Sequence, residues 1–356
     1  GTVARRADQY RQGDDDYDSC GQRQCDLPEN IPAVLFLRSP VGLREGKLAC
    51  VHKFNCIMIA KKDELVNVII ALLSKNYSGI DDMIWIFLPA FNEEKALPGL
   101  LAQVDEAFRS KGEPYRLVVV NDGSTDSTPQ LLESFAGKLP LDVVTHPINR
   151  GLGETERDGF EFVAAHCRPE DVIVRLEGDD THDPKYIFTM IEKLQSGYDV
   201  VNTSRFQPGG GQLGVKRYHA AVSWLANQFM RVMFHIPGIR DYSCGFRVYR
   251  ASVIQDALRI FGNYLIQLRG LGFTSTLEIL VKLNMMGCKF AEVPFVLRYD
   301  QKKSSSKMVG SITTFGYFAM ALLYHWPFGG WKRQYRGLGK LYHQDSEKAV
   351  KIYQLD

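Results

Sequence analysis

The sequence predicts an α/β fold with a mostly parallel sheet flanked by helices. From Met83 onward, short apolar runs alternate with stretches of helical length, the texture of strands joined by covering helices. Each apolar run stops at a polar turn rich in Asp, Asn and Gly, and in open α/β sheets ligands bind beyond the carboxyl ends of the strands. The 356 residues suffice for one large domain or two modest ones, and 45% hydrophobic with 24% charged residues is ordinary for a soluble globular protein.

Taken in order, residues 1–30 are polar with an acidic run at Asp14, Asp15 and Asp16, and read as disordered. No basic start followed by an apolar core marks a secretory leader there. Residues 31–82 form an N-terminal extension with apolar runs at Ala33–Leu37 and Ile57–Ala60 and a helix over Asp63–Leu73; no chemistry is visible in it. Ile84–Leu88 is a buried strand, followed by Pro89, Ala90, Phe91, Asn92, Glu93 and Glu94 and a helix over about 97–110. Leu117–Val120 is a second strand, ending at Asn121-Asp122-Gly123-Ser124-Thr125-Asp126. A helix over about 129–136 follows, with Asp126, Ser127 or Thr128 as N-cap and Pro129 in its first turn. Asp142–Thr145 is a third strand, then Asn149-Arg150-Gly151-Leu152-Gly153 and a helix to about 166; Asp171–Leu176 is a fourth.

The fourth strand runs into Glu177-Gly178-Asp179-Asp180-Thr181-His182. Three carboxylates packed together repel unless something positive sits among them, and a hard divalent cation bridging them to diphosphate oxygens is one solution. An acidic loop that caps the helix after Asp183-Pro184 is the other. The net charge of +2 gives no argument for nucleic acid, so an anionic partner must be met by local basic clusters. The seven cysteines are scattered without metal-ligand spacing and read as reduced thiols of a cytosolic protein.

Together, Pro89–Glu94, Asn121–Asp126, Arg150–Gly153 and Glu177–Asp180 resemble family 2 glycosyltransferases of the GT-A fold, in the dolichyl-phosphate mannosyltransferase and polyprenyl-phosphate glycosyltransferase branch. The likeness continues through Thr203–Phe206, Pro208–Gly211, Lys216-Arg217, Arg240–Arg247, Glu292–Phe295 and the basic loop Arg298–Lys307. It implies a catalytic domain over 83–307. It also implies that Pro89, Phe91, Glu93 and Asp122 bind the nucleoside of a donor such as GDP-mannose or UDP-glucose, and that Glu177 and Asp179 hold Mg²⁺ or Mn²⁺ on its diphosphate. Arg205, Arg217, Arg298 and Lys307 would meet the phosphate of a polyprenyl acceptor, Lys307 also reaching the donor. The sequence departs from the branch with Glu177 for Asp, Asp180 for an apolar residue and Thr181 for Gln.

A phosphate acceptor is already ionised and needs no general base, whereas a hydroxyl acceptor needs one, for which Asp241 is the candidate. The other reading of Asp241 is an ion pair with Arg240, Arg247 or Arg250. A catalytically silent sugar-nucleotide-binding subunit is a third possibility. One displacement inverts the anomeric carbon. Finally, Met308–Trp331 contains no charged residue, and Ile312, Phe315, Ala319, Leu322, Leu323 and Trp326 recur at helical spacing. A helix over Ser311–Trp326 would be about 24 Å long, short of the ~30 Å hydrocarbon core. Residues 308–356 therefore read as an amphipathic interfacial helix, alternatively a helix packed on the domain's own core, and a basic tail. The expected location is cytoplasmic, at the inner face of a membrane.

Overall fold

The computed structural model describes residues 48–52, 55–59, 82–303, 310–326 and 330–354. The chain divides into two compact units, Gly1–Tyr77 and Ser78–Asp356. In the first, β1 (Leu48–His52) pairs antiparallel with β2 (Asn55–Ile59). The disorder expected over 1–30 and the helix expected over Asp63–Leu73 lie outside the described residues.

The second unit opens with β3 (Ile84–Ala90), α1 (Leu97–Lys111), β4 (Tyr115–Asn121), α2 (Thr128–Ala136), β5 (Leu141–Thr145), α3 (Leu152–His166) and β6 (Val172–Arg175). It continues through α4 (Tyr186–Gln195), β7 (Val200–Ser204), β8 (Gly211–Leu213), α5 (Arg217–Phe234), β9 (Arg247–Arg250), α6 (Ala251–Phe261) and α7 (Thr274–Met285). β10 (Phe290–Pro294), β11 (Val296–Arg298), α8 (Gly310–His325), α9 (Trp331–Gln334), α10 (Leu338–Gln344) and α11 (Ser346–Tyr353) complete it. Seven strands form one sheet in the order β10-β7-β9-β6-β3-β4-β5. All neighbours are parallel except β9, which runs antiparallel to β6 and β7. The mostly parallel α/β fold is as the sequence predicts.

Both faces of the sheet are covered, which is why its strands are continuous apolar runs. Along β3, Trp85 and Phe87 enter one core with Phe160 and Val163 of α3, while Ile84, Ile86 and Leu88 enter the other with Leu97, Leu101 and Val104 of α1. The chain goes from β3 out through β4 to β5, then returns to lay β6 on the opposite side of β3. That reversal leaves a crevice beyond the ends of β3, β4 and β6, the place where such sheets take ligands.

The C-terminal helices belong to the same packing. Tyr317, Met320 and Tyr324 of α8, with Trp331, Tyr335, Leu338, Ala349 and Val350, join the core that contains Phe87. α8 is apolar nearly all round, and one face of it packs on the domain's own core. Thr313, Gly316, Tyr317, Met320 and Tyr324 are buried, while Ile312, Phe315, Phe318, Leu322 and Trp326 are exposed. Among the described residues, no helix is long and apolar enough to cross a membrane.

Candidate active site

The turns after β3 and β4 are laced together by side chains reaching across about thirty residues. Asn92 adopts a left-handed φ of 53°. Its backbone N–H donates to Ser124 Oγ at 3.0 Å, and its Oδ1 accepts from the Thr125 N–H at 2.8 Å. The Glu93 N–H donates to Thr128 Oγ1 (3.0 Å), and the Ser127 N–H to Glu94 Oε2 (3.0 Å). Asparagine tolerates the left-handed conformation because its short amide compensates locally. Glu93 is buried in this knot.

Asp122 is buried, and its carboxylate makes three close polar contacts. Oδ1 accepts the Arg150 N–H at 2.8 Å and lies 2.7 Å from His146 Nδ1; Oδ2 accepts the Gly151 N–H at 2.8 Å. His146 Nε2 in turn lies 2.9 Å from Asp158 Oδ2. Asp122 therefore ties the end of β4 to the loop that starts α3, in addition to any contact with a nucleoside. Its carboxylate retains the capacity to accept from a ligand.

At the end of β6, Arg175 is fully buried and pairs with Glu177 Oε1 and, at 2.8 Å, with Glu156 Oε1. Asp179 Oδ1 accepts the Thr181 hydroxyl at 2.6 Å, and Oδ2 is paired with the Lys302 ammonium. Burial alone would raise the Asp179 carboxyl, but His182 and Lys302 outweigh it and hold it below the usual carboxylate range. Asp180, at a left-handed φ of 61°, turns away toward Gln103 Nε2 (3.0 Å) and Lys303 Nζ (3.4 Å). A residue without glycine's freedom held there marks a turn fixed by its surroundings.

These turns close around a cavity of about 500 Å³. Pro89, Phe91, Glu93, Asp122, Glu177 and Asp179 all line it, with Arg150, Gly151 and Lys302. The opposite wall is Arg269, Gly270, Gly272 and Phe273 with Ile312 of α8, none of which the sequence reading singled out as site residues. Only the closely spaced glycines of Gly270-Leu271-Gly272 hinted at a loop approaching another surface. A hard dication fits the acidic corner: Asp179 Oδ2 already holds an ammonium, and Glu177 keeps one oxygen beyond its pair with Arg175. Among the described residues no three His, Cys, Asp or Glu side chains converge on one point, so other ligands would come from diphosphate and water.

On the side expected to meet the acceptor, Asp241, Arg205, Arg217 and Arg298 are described. Asp241 is wholly buried and paired with Arg205, not with the nearby Arg240, Arg247 or Arg250. Arg205 Nε donates to Asp241 Oδ2 at 2.7 Å and Nη2 to Oδ1 at 2.8 Å. Burial pushes the Asp241 carboxyl up, but Arg205 outweighs it and holds it low. The pair corrects one expectation: the partner of Asp241 is Arg205, not Arg240, Arg247 or Arg250. A buried carboxylate gripped on both oxygens is poorly placed to take a proton from an acceptor, and Arg205 engages Asp241 and Ser243 (2.7 Å) through Nε and Nη2. Arg217 is exposed at the start of α5, and Arg298 is tied to Asp300 at 2.9 Å. Lys307, with the rest of 304–309, lies outside the described residues. The three described core cysteines, Cys167, Cys244 and Cys288, are free and buried.

Residues 85–258 match the profile of Glycosyl transferase family 2. The domain belongs to that family. Its relatives include the undecaprenyl-phosphate 4-deoxy-4-formamido-L-arabinose transferase of Shewanella sediminis, 32% identical over 50% of this chain and 51% of that protein. The dolichol-phosphate mannosyltransferase of Pyrococcus furiosus is 29% identical over 65% of this chain and 60% of its own length. The undecaprenyl-phosphate mannosyltransferase of Micrococcus luteus is 28% identical over 63% of this chain and 87% of its own. The chain thus spans about half the length of the first of these relatives. The family 2 match runs from the first residues of β3 into α6, and so contains every strand end that frames the crevice.

Proposed function

We propose that this family 2 domain transfers a hexose of mannose or glucose type from a nucleotide-diphosphate sugar to a polyprenyl phosphate, with inversion. The observation that carries the reading is the convergence of Phe91, Glu93, Asp122, Glu177 and Asp179 on one cavity at the reversal point of the sheet. Pro89, Phe91 and Glu93 would hold the nucleoside with Asp122, and Asp179 with Glu177 would hold Mg²⁺ or Mn²⁺. Such a cation would neutralise charge on the departing diphosphate. Lys302 adds a further positive charge at the same corner. The names of the relatives, which are polyprenyl-phosphate sugar transferases, support the acceptor class.

The state of Asp241 favours a phosphate acceptor over a hydroxyl one. An ionised phosphate oxygen attacks without a base, so the protein need only align it and exclude water. Arg217 is an exposed cation offered to that phosphate; Arg298 and Lys307 are proposed with it, and Arg205 would take part through Nη1, which its contacts with Asp241 and Ser243 do not use.

A lipid acceptor also accounts for the surface of α5 and α8. Tyr218, Val222 and Leu225 lie 11, 7 and 4 residues before Phe229, on one stripe of α5, and are 74%, 46% and 64% exposed. Phe229 and Phe318 of α8 pack with ring centroids 4.9 Å apart, which brings that stripe beside the exposed Phe315, Phe318 and Leu322. Two adjoining apolar stripes with Lys216 and Arg217 at one end suit peripheral docking on an anionic membrane face, the cytoplasmic leaflet in our reading. The test is a donor panel (GDP-mannose, UDP-glucose, UDP-N-acetylglucosamine) with a short polyprenyl phosphate and Mn²⁺, following nucleoside diphosphate release with and without chelator. Release with a lipid phosphate supports the proposal. Release only with a sugar hydroxyl acceptor refutes it.

A further inference from the structure

Among the described residues, the most deeply buried ion pair outside the crevice is Lys282–Glu278, one turn apart on α7. Its side chains are 1% and 0% exposed, and Nζ lies 2.6 Å from Oε1. Burying two charges costs more than their attraction commonly returns, so such a pair is poor evidence of a contribution to stability. What it does geometrically is specific. Glu278 Oε1 accepts the Gln267 N–H at 2.8 Å, and Oε2 accepts the Leu268 N–H at 2.9 Å. Lys282 donates to the Tyr264 carbonyl and lies 4.3 Å from the centre of the Trp331 ring. One carboxylate and one ammonium thus fix three backbone positions, 264, 267 and 268, directly before the cavity wall of Arg269, Gly270, Gly272 and Phe273.

The far side of that wall is already clamped. A Cβ on Gly153 would lie 2.5 Å from the Arg269 carbonyl oxygen, and one on Gly272 would lie 2.5 Å from Thr313 Oγ1 of α8. The wall has little freedom at those contacts, and Arg269 is further paired with Glu154 at 3.2 Å; on its N-terminal side, the Glu278 carboxylate holds the chain leading into it.

We propose that Glu278, held by Lys282, is a positioning residue whose task is to set the Arg269–Phe273 wall against a nucleotide donor. This rests on reading the cavity as the donor site. Glu278 touches no ligand itself; it acts through the two N–H groups it holds, and the wall supplies a guanidinium and an aromatic face to a phosphorylated nucleoside.

The test is the double substitution Glu278→Gln/Lys282→Met, which removes both charges, keeps side-chain volume and leaves a single acceptor oxygen for two N–H groups. Hydrogen exchange over residues 262–274 is measured without ligand, beside thermal melting and calorimetric titration of UDP and of GDP with Mn²⁺. Exchange in that segment rises about tenfold with the rest of the domain unchanged, the melting midpoint holds to within about 4 °C, and nucleotide affinity falls about tenfold, a step of about 1.4 kcal/mol. Unchanged exchange overturns the proposal, and so does faster exchange with unchanged affinity, the pattern of a purely structural pair. If the parent binds neither nucleotide, the donor reading of the cavity fails, while the exchange result still decides whether the pair positions the wall. Glu278→Asp, which keeps the charge but draws the carboxylate back from Gln267 and Leu268, gives the same readings should the double variant not fold.

Discussion

Replacing Asp241 by asparagine separates the two roles that a carboxylate beside a sugar-transfer site can have. Asp241 is wholly buried, and its partner Arg205 has a side chain 12% exposed. Removing one member of a buried pair costs about 3–5 kcal/mol, because the other charge is left uncompensated. The partial exposure of Arg205 lets water relieve some of that, so we take the lower end, about 3 kcal/mol. The asparagine NH₂ also turns one hydrogen-bond acceptor into a donor facing the guanidinium. For a unit of this size, 3 kcal/mol corresponds to a midpoint lowered by about 6–12 °C.

The assay is thermal melting of the parent, Asp241→Asn, Arg205→Met and the double variant at pH 7, with turnover measured well below the lowest midpoint. The double variant recovers most of the loss, because neither charge is then stranded. The pair also predicts the acid limb. The folded Asp241 carboxyl lies below its ordinary value, so its stabilisation is present above about pH 4 and is lost as pH falls through the folded value. The Asp241→Asn variant therefore shows a shallower loss of stability in that acidic window. A variant that melts with the parent yet loses all turnover toward a hydroxyl acceptor would refute this account and restore Asp241 as a base.

Three further outcomes follow from the site. Lys302→Met frees Asp179 Oδ2 and raises Mn²⁺ affinity in the absence of donor about tenfold, from the ~1.5–3 kcal/mol of a charged hydrogen bond; electron paramagnetic resonance titration reads it, and unchanged affinity would show that Lys302 does not occupy that oxygen. Gly245→Ala places a Cβ 2.6 Å from both Arg175 Cζ and Glu177 Oε1; it costs about 1–3 kcal/mol by overpacking and displaces Glu177, seen as a lower midpoint together with weaker Mn²⁺-dependent nucleotide binding. Leu225→Ser with Phe315→Ser on the exposed stripes of α5 and α8 lowers co-sedimentation with anionic vesicles severalfold and leaves the melting midpoint within about 2 °C, since both side chains are more than half exposed. Equal sedimentation of variant and parent would count against membrane docking by this face.

The sequence alone determined the strand ends and what they carry. Runs such as Leu117–Val120 and turns such as Asn121–Asp126 are local signals, and once strands are parallel their ends must share one edge. Hence Phe91, Glu93, Asp122, Glu177 and Asp179 were all legible as companions before any geometry. The tertiary structure decided the partners. Asp241 has Arg240 beside it in the chain and Arg247 nearby, yet pairs with Arg205, because Arg247 is drawn to Asn202 Oδ1 at 2.9 Å and Arg250 to the carbonyls of Tyr198 and Leu194. Arg269 and Phe273 reach the crevice through the tertiary arrangement alone, and the apolar stripe read along α8 misled: Ile312, Phe315, Leu322 and Trp326 of that stripe are exposed, while Thr313, Gly316, Tyr317, Met320 and Tyr324 are buried. Charge pairing and wall-building act through space, and one-dimensional spacing carries no record of them.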